Sequence, residues 1–240
     1  PIAAEIDRNH RFPEELIPRM AELGLMGIPW PEEVGGAGAD WVSYVLVCEE
    51  ISKVCGSTGV ILAAHTSLGT GPIYNFGSDA QKEKYLRDLA SGTKLAAFAL
   101  TEPAAGTDAA AGRSTAELDG DEYVINGSKI FISNGGYADV YIVTAMTDPS
   151  KGTRGISAFI IEKDTPGFTV GERERKMGIK ASSTTPLYFS NCRIPKEALL
   201  GTEGKGFQMA MQTLDGGRIG VAAQALGTAQ GARDASTDFA

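Results

Sequence analysis

The spacing of apolar residues changes twice along this chain of 240 residues, and the two changes divide it into three regions. Up to about residue 94, apolar side chains recur every three or four positions, as on one face of a helix. From Leu95 to about Ile194 they form short runs separated by turn residues, and from Gly206 the helical spacing returns. This order predicts an α+β fold: an amino-terminal α-helical domain, a middle β-domain and the start of a carboxy-terminal helical bundle.

The first region carries local signals for individual helices. Asp40 is expected to cap a helix from Trp41 to about Val54, which is apolar on nearly every face and is therefore buried or at an interface. Residues Gly59 to Thr70 form a helix of small residues, whose face could line a ligand slot or pack closely on a neighbour. Ser78 and Gln81 have the spacing of a capping box, which predicts the start of another helix.

Turn signals divide the middle region into short apolar or alternating runs. They are Asp119-Gly120, Asn126-Gly127, Asn134-Gly-Gly136, Asp148-Pro149 and Pro166-Gly167. Turns this close together favour an antiparallel sandwich or barrel. The predicted domains are residues 1–94, 95–195 and 196–240. Because the chain begins without Met and ends inside a helical pattern, we expect it to be a fragment at both ends.

Composition excludes several classes of function. The formal net charge of -8 provides no basic stripe for nucleic acid. Three cysteines without a CxxC spacing favour a reducing compartment and core packing, and the two histidines lack a metal-ligand spacing, so we expect no metal. His65 is expected to be a satisfied histidine on a helix face. The sequence contains neither a long apolar run nor a signal-peptide pattern, which predicts neither membrane spanning nor export.

An apolar run breaks abruptly into a small, hydroxyl-rich loop between Phe98 and Asp108. Pro103 fixes one backbone angle, and Gly106 allows a close approach that a side chain would block. Thr101 and Thr107 add hydroxyls beside backbone N–H groups. These features are typical of a binding loop, but the local sequence fits an ordinary strand-to-loop exit equally well.

Six motifs, in order and with compatible spacing, resemble those of the acyl-CoA dehydrogenase family, most closely its short-chain or butyryl-CoA branch. They are Phe-Ala-Leu-Thr-Glu-Pro-x-x-Gly-Thr-Asp from Phe98, Asn126-Gly-x-Lys129, Ile132-Ser-Asn-Gly-Gly136, Lys176-Met-Gly-Ile-Lys-Ala-Ser-Ser183, Leu200-Gly-x-x-Gly-x-Gly-Phe207 and Leu214-Asp-Gly-Gly-Arg218. The resemblance extends over essentially the whole chain. It implies FAD as cofactor and, in fatty-acid β-oxidation, conversion of a short-chain acyl-CoA to a trans-2-enoyl-CoA.

The resemblance also implies partners and a location. Electrons would pass to an electron-transfer flavoprotein, and the enzyme would be a homotetramer without nucleic-acid or membrane partners. It would be cytoplasmic in a bacterium or lie in the mitochondrial matrix of a eukaryote. Whether the reaction runs in the oxidising or the reducing direction stays open at this point.

Site residues follow from the resemblance position by position. The residues that correspond to flavin contacts in the family are Phe98, Ala99, Leu100, Thr101, Gly106, Thr107, Phe131, Ile132 and Ser133. Phe131 stands where the family more often has Trp, which leaves less cover over the flavin. Thr107 stands where the family usually has Ser and would also contact the thioester arm. Asp215 and Arg218 lie three apart on one predicted helix face and would meet the CoA portion.

The catalytic base is not identified by the sequence. Some branches of the family carry a catalytic Glu immediately before the Arg, and this chain has Gly217 there. The resemblance therefore implies a Glu base beyond Ala240. Two alternatives remain: a relative of the acyl-CoA oxidases, which hand electrons to oxygen, and a non-catalytic fragment that binds flavin or acyl-CoA.

Overall fold

The computed structural model describes residues 2–240 and contains seven α-helices and eight strands in that range. The helices are α1 (Ala3–Arg8), α2 (Leu16–Glu22), α3 (Trp41–Val54), α4 (Gly56–Ala63), α5 (Gly71–Phe76), α6 (Asp79–Ala90) and α7 (Gly206–Phe239). The strands are β1 (Ala96–Ala99), β2 (Thr115–Asp119), β3 (Glu122–Ser133), β4 (Val140–Met146), β5 (Ile156–Glu162), β6 (Phe168–Val170), β7 (Thr184–Pro195) and β8 (Leu199–Leu200). The order confirms the predicted α+β fold class. None of the described helices is long and apolar enough to cross a bilayer.

Both predicted helix caps are present. The Asp40 carboxylate accepts a hydrogen bond from the Ser43 backbone N–H at 2.7 Å and opens α3. Ser78 and Gln81 make both bonds of the capping box at the start of α6. Residues 56–76 form one continuous helical stretch, because a π-helical segment, Ala64–Thr70, joins α4 to α5.

The middle region forms one eight-stranded sheet in which most neighbours are antiparallel. Its order is β6-β7-β3-β2-β4-β5-β8, with β1 beside β4. The predicted antiparallel sandwich or barrel is a mixed sheet in detail, because β1 pairs with β4 in parallel and Thr115 of β2 makes a parallel contact with Met146. Turn spacing cannot reveal this pairing, since β1 is followed by a long loop rather than a hairpin.

The predicted turn at Asn126-Gly127 is wrong, since β3 runs through both residues as one strand of twelve residues. The register against β7 shifts between Ile125 and Gly127, as at a β-bulge. Gly127 has a φ of +140°, and the Asn126 side chain accepts a hydrogen bond from the Asn191 backbone N–H at 2.8 Å. The dipeptide therefore bends a strand instead of ending it.

Strand β4 belongs to two hydrophobic cores at once. Tyr141 and Val143 point into a core shared with β3, β5 and β7, where the rings of Tyr123 and Phe159 meet at 4.9 Å. Ile142 points to the opposite side, into a core shared with α5 and α6. This double burial explains why β4 and β5 are continuous apolar runs, whereas β7 alternates buried and exposed positions.

Helix α7 packs closely along α3. A Cβ atom at Gly227 would lie 2.1 Å from the Glu49 carbonyl oxygen, and one at Gly231 would lie 2.1 Å from the Lys53 carbonyl oxygen. Glycine at these positions lets the two backbones approach. The start of α7 lies beside the π-helical segment and β5.

Candidate active site

A cleft of about 430 Å³ lies where the end of β1, the loop after it, β3, the π-helical segment and the start of α7 meet. Its lining residues are Ala64, Leu68, Phe98, Leu100, Thr101, Gly106, Thr107, Asp108, Ala109, Ala110, Phe131, Ile132, Ser133, Phe207, Met211, Leu214 and Arg218. A larger hollow of about 820 Å³, between α1 and the second half of α7, is lined by none of the predicted site residues. The cleft therefore brings together predicted site residues from three separate parts of the chain.

Most of the predicted site residues line this cleft, and two do not. Ala99 is fully buried in the β-domain core, so only its backbone is near the cleft. Asp215 lies on the exposed side of α7 next to the cleft residue Arg218. Both readings of the predicted small-residue helix are seen: Ala64 and Leu68 line the cleft, and Gly69 packs so closely on β1 that a Cβ atom there would lie 2.4 Å from Ala96 Cβ.

Several polar groups on the cleft wall have no partner within residues 2–240. The backbone N–H groups of Thr101, Gly106 and Thr107 reach no protein acceptor in this range. The hydroxyls of Thr101, Thr107 and Ser133 also face the cleft without a partner in the described residues. A ligand with acceptor atoms along one edge would satisfy these donors.

Phe131 projects from a second irregularity in β3. Its φ is +60°, a left-handed conformation that costs a bulky residue on the order of 1–2 kcal/mol. The register between β3 and β7 shifts between Lys129 and Ile132, so this segment leaves the ladder. As a result the Phe131 side chain is 60% exposed and forms part of the cleft wall instead of packing in the core.

Arg218 places a cation at the cleft. Its guanidinium donates to the Asp215 carboxylate at 2.5 Å, and both side chains are exposed. Such an exposed pair contributes little to folding stability. Its arrangement leaves other guanidinium N–H groups available to an anionic ligand.

Gly217 is buried in α7 and offers no base. A Cβ atom there would lie 2.5 Å from Leu68 Cδ2, so a larger side chain would displace this cleft residue. Asp108 supplies the carboxylate among the lining residues, and it already accepts a hydrogen bond from the Ala110 backbone N–H at 3.2 Å. Neither residue has the features of a buried, activated base.

His65 is structural, as expected. It is fully buried; its Nε2–H donates to the Leu89 carbonyl at 2.9 Å, and its Nδ1 accepts from the Ala96 backbone N–H at 3.0 Å. Burial lowers the pKa of the imidazole from 6.5 to about 4. The neutral ring therefore joins the π-helical segment to α6 and β1.

An ion pair that the sequence analysis did not single out lies directly behind the cleft. Lys129 and Glu102 are both buried, with Nζ and Oε1 2.7 Å apart. Burial opposes the charge on Glu102, but attraction to Lys129 and hydrogen bonds outweigh it and lower the pKa of the carboxyl. The signal in the sequence was a lysine within an alternating strand, two residues before Phe131.

The structure has no candidate metal centre among the described residues, where no group of three His, Cys, Asp or Glu side chains could hold an ion. All three cysteines are free, and two of them, Cys48 and Cys192, are buried. Burial raises the pKa of both of these thiols to about 11, which makes them unreactive at neutral pH.

Known proteins are similar to this chain in sequence and in fold. Residues 1–93 match the acyl-CoA dehydrogenase amino-terminal domain, and residues 97–192 match its middle domain. The short-chain specific acyl-CoA dehydrogenase of Clostridium acetobutylicum is 60% identical over 232 residues, or 97% of this chain and 61% of that protein.

Two solved structures agree over the whole of this chain. Butyryl-CoA dehydrogenase from Megasphaera elsdenii has a TM-score of 0.97 and 51% identity, and 63% of it is covered. A chain from the structure described as the electron transferring flavoprotein of Acidaminococcus fermentans has a TM-score of 0.98 and 56% identity, and 63% of it is covered. This chain thus spans 61–63% of the length of these three relatives. The two domain matches and these similarities show that the chain belongs to the acyl-CoA dehydrogenase family.

Proposed function

We propose that this chain forms the flavin and acyl-CoA site of an enzyme that oxidises a short-chain acyl-CoA to the trans-2-enoyl-CoA. The observation that supports the proposal most directly is the cleft, where the Thr101–Thr107 loop, the Phe131–Ser133 segment and Arg218 meet. The names of the relatives, short-chain specific acyl-CoA dehydrogenase and butyryl-CoA dehydrogenase, agree with a short acyl chain.

The cleft residues fit FAD, the cofactor of this family. The unpartnered N–H groups and hydroxyls on the loop wall match the acceptor atoms along the pyrimidine edge of a flavin, and the exposed Phe131 ring matches its flat apolar face. When bound, FAD accepts a hydride from the substrate β-carbon.

The loop residues have a distinct role in this proposal. Backbone N–H groups beside Thr101 stabilise the charge that develops at the pyrimidine edge, because they are already oriented before reaction. Phe131 and Ser133 cover the neighbouring part of the ring. Thr107 contacts the thioester arm, where its hydroxyl replaces the Ser that is usual in the family.

Arg218 binds the anionic CoA portion, with Asp215 fixing the guanidinium. A charge-assisted hydrogen bond from Arg to a phosphate or carboxylate is among the strong polar contacts in proteins. Both residues are exposed, which suits the mouth of a cleft rather than its interior.

We assign the proton-abstracting Glu to residues outside 1–240, since Gly217 occupies the alternative position and Asp108 caps its own loop. Replacement of Asp108 by Asn tests this assignment. Turnover should stay within about threefold, whereas loss of a general base would cost about a hundredfold or more. A loss of that size in Asp108→Asn would contradict the assignment.

The decisive experiment uses the purified full-length protein loaded with FAD. Under anaerobic conditions, addition of butyryl-CoA should bleach the visible absorption of the flavin, and crotonyl-CoA should appear in the product. The absence of both bleaching and crotonyl-CoA would favour a binding module and contradict the proposed activity.

Electron transfer distinguishes the proposed dehydrogenase from an oxidase. The reduced flavin should reoxidise rapidly with an electron-transfer flavoprotein and slowly with oxygen alone. Rapid reoxidation by oxygen would assign the protein to the oxidase type.

We also propose a homotetramer and, by family resemblance, a location in the cytoplasm of a bacterium or in the mitochondrial matrix. The proposed domain limits are residues 1–94, 95–195 and 196–240. Light scattering of the full-length protein tests the tetramer, and limited proteolysis tests the domain limits.

A further inference from the structure

The Glu102–Lys129 ion pair lies behind the cleft, and neither side chain lines it. The side chains are 6% and 2% exposed, respectively. Besides Glu102, the Lys129 ammonium donates to the Leu100 carbonyl at 3.1 Å and to Thr144 Oγ1 at 3.3 Å. All three of its hydrogens therefore have a partner, so the ammonium has one well-defined position.

Glu102 ties together the two ends of the cleft loop. Its carboxylate accepts hydrogen bonds from the backbone N–H groups of Arg113 at 2.5 Å and Ser114 at 3.1 Å. Its own backbone exchanges two hydrogen bonds with Ala105, at 3.0 and 3.1 Å. One side chain thus fixes the beginning and the end of the segment that carries Thr107.

Lys129 connects this loop to the opposite wall. It stands two residues before Phe131, where β3 leaves its ladder with β7. The adjoining Ile130 N–H donates to the Thr101 carbonyl at 2.9 Å. This bond and the one from Lys129 to the Leu100 carbonyl both join β3 to the cleft loop. The left-handed segment at Phe131 therefore depends on the loop for support that its own strand partner does not give.

We propose that Glu102 and Lys129 are positioning residues that set the spacing between the Thr101–Thr107 loop and Phe131, and thereby the affinity and reduction potential of the bound flavin. The inference rests on the proposed function. A buried ion pair adds little net stability compared with well-packed apolar residues, but its directed bonds fix the groups that they join. We therefore expect changes to the pair to alter flavin binding more than the free energy of unfolding.

The test compares three variants of the full-length protein. Glu102→Asp keeps both charges and shortens the carboxylate arm by one methylene, so it changes position without leaving a charge unpaired. The double variant Glu102→Gln with Lys129→Met removes both charges while keeping similar shapes. The exposed pair Asp121 and Lys196 supplies the control as Asp121→Asn with Lys196→Met.

Three properties are measured: the FAD dissociation constant, the midpoint potential of the bound flavin and its visible spectrum. Apoprotein unfolding in denaturant confirms that each variant is folded. We expect the FAD dissociation constant to rise about tenfold or more in Glu102→Asp and in the double variant, as loss of supporting hydrogen bonds does at metal sites. A tenfold change in the relative affinity for oxidised and reduced flavin corresponds to about 30 mV in midpoint potential.

The control variant should match the unsubstituted protein in all three properties. If folded Glu102→Asp and the folded double variant also match it, the inference is overturned, and the pair is purely structural. If the unsubstituted protein binds no FAD, the proposed function is overturned instead. The two failures are distinguishable because the second is seen before any substitution is made.

Discussion

His65 makes the stability of the protein depend on pH in a defined window. The unfolded imidazole has a pKa near 6.5 and the folded one about 4, so on acidification the unfolded chain binds the proton first. The contribution is complete above pH 6.5 and is lost as the pH falls to about 4, to a total on the order of 3 kcal/mol. Denaturant unfolding at a series of pH values measures it.

The matched control for this prediction is His65→Gln. It should lower stability at neutral pH and flatten the slope between pH 6.5 and 4. Carboxylates such as Glu5 and Asp148, with pKa values lowered to about 2 by hydrogen bonds to Arg11 and Lys151, act at lower pH. A full slope in His65→Gln would contradict the assignment.

Arg218 should affect substrate binding without affecting folding. Arg218→Gln is expected to raise KM for butyryl-CoA roughly tenfold, because it removes a charge-assisted hydrogen bond to an anion. The free energy of unfolding should change by less than about 0.5 kcal/mol, since the side chain is exposed. Steady-state kinetics measures the first quantity and denaturant titration the second.

Arg233→Gln provides the comparison on the same helix. Arg233 is also exposed and also pairs with an aspartate, Asp234, but it does not line the cleft. Its KM should equal that of the unsubstituted protein. Equal KM values in both variants would remove Arg218 from the CoA site.

Two of the glycines in helix α7 should respond in opposite ways to replacement by alanine. Gly227→Ala should destabilise the protein by about 1–3 kcal/mol, because the added Cβ would overlap the Glu49 carbonyl oxygen of α3. Gly216→Ala should stabilise it by up to about 1 kcal/mol, since a Cβ there meets nothing within 4 Å and alanine favours helix. Thermal unfolding of both variants is the measurement, and a similar change in both would contradict the close packing.

At the level of elements, the sequence was informative wherever the signal was local. The Asp40 cap and the Ser78–Gln81 capping box are complete within four residues, so both helix starts were predictable. The parallel pairing of β1 with β4 joins residues more than forty positions apart, and no turn marks it. Asn126-Gly127 shows the converse, because a strong local turn signal yields to a continuous β3–β7 pairing on both sides.

The residues that line the candidate site could be named from family motifs, but the ion pair behind them could not. Phe98, Thr101 and Phe131 were named from their motifs, and the structure brings them to one cleft. The Glu102–Lys129 pair lies between the same residues in two of the same motifs, yet only the folded chain shows them in contact. A pairwise contact between distant residues leaves no periodic signal in a single sequence.

For the whole molecule, the shared strand β4 predicts that the helical region and the β-domain are coupled. Ile142→Ala, on the helix-facing side, should lower stability by about 2–5 kcal/mol. Amide hydrogen exchange should then increase in α6 as well as in β4 and β5. Leu118→Ala, at an exposed position in β2, should leave exchange in α6 unchanged. An increase confined to β4 in Ile142→Ala would show that the two regions open independently.

The π-helical segment Ala64–Thr70 has a consequence for how this cleft can change. A π-turn closes its hydrogen bond over one more residue than an α-turn, and such turns are frequent at functional sites. Loss of one residue from this segment would let an α-helix run straight through it, which would shift the side chains of the segment itself relative to the cleft. Leu68 would then leave the cleft wall and another side chain would replace it. In this part of the cleft, the number of residues in the helix decides the shape of the wall as much as their identity does.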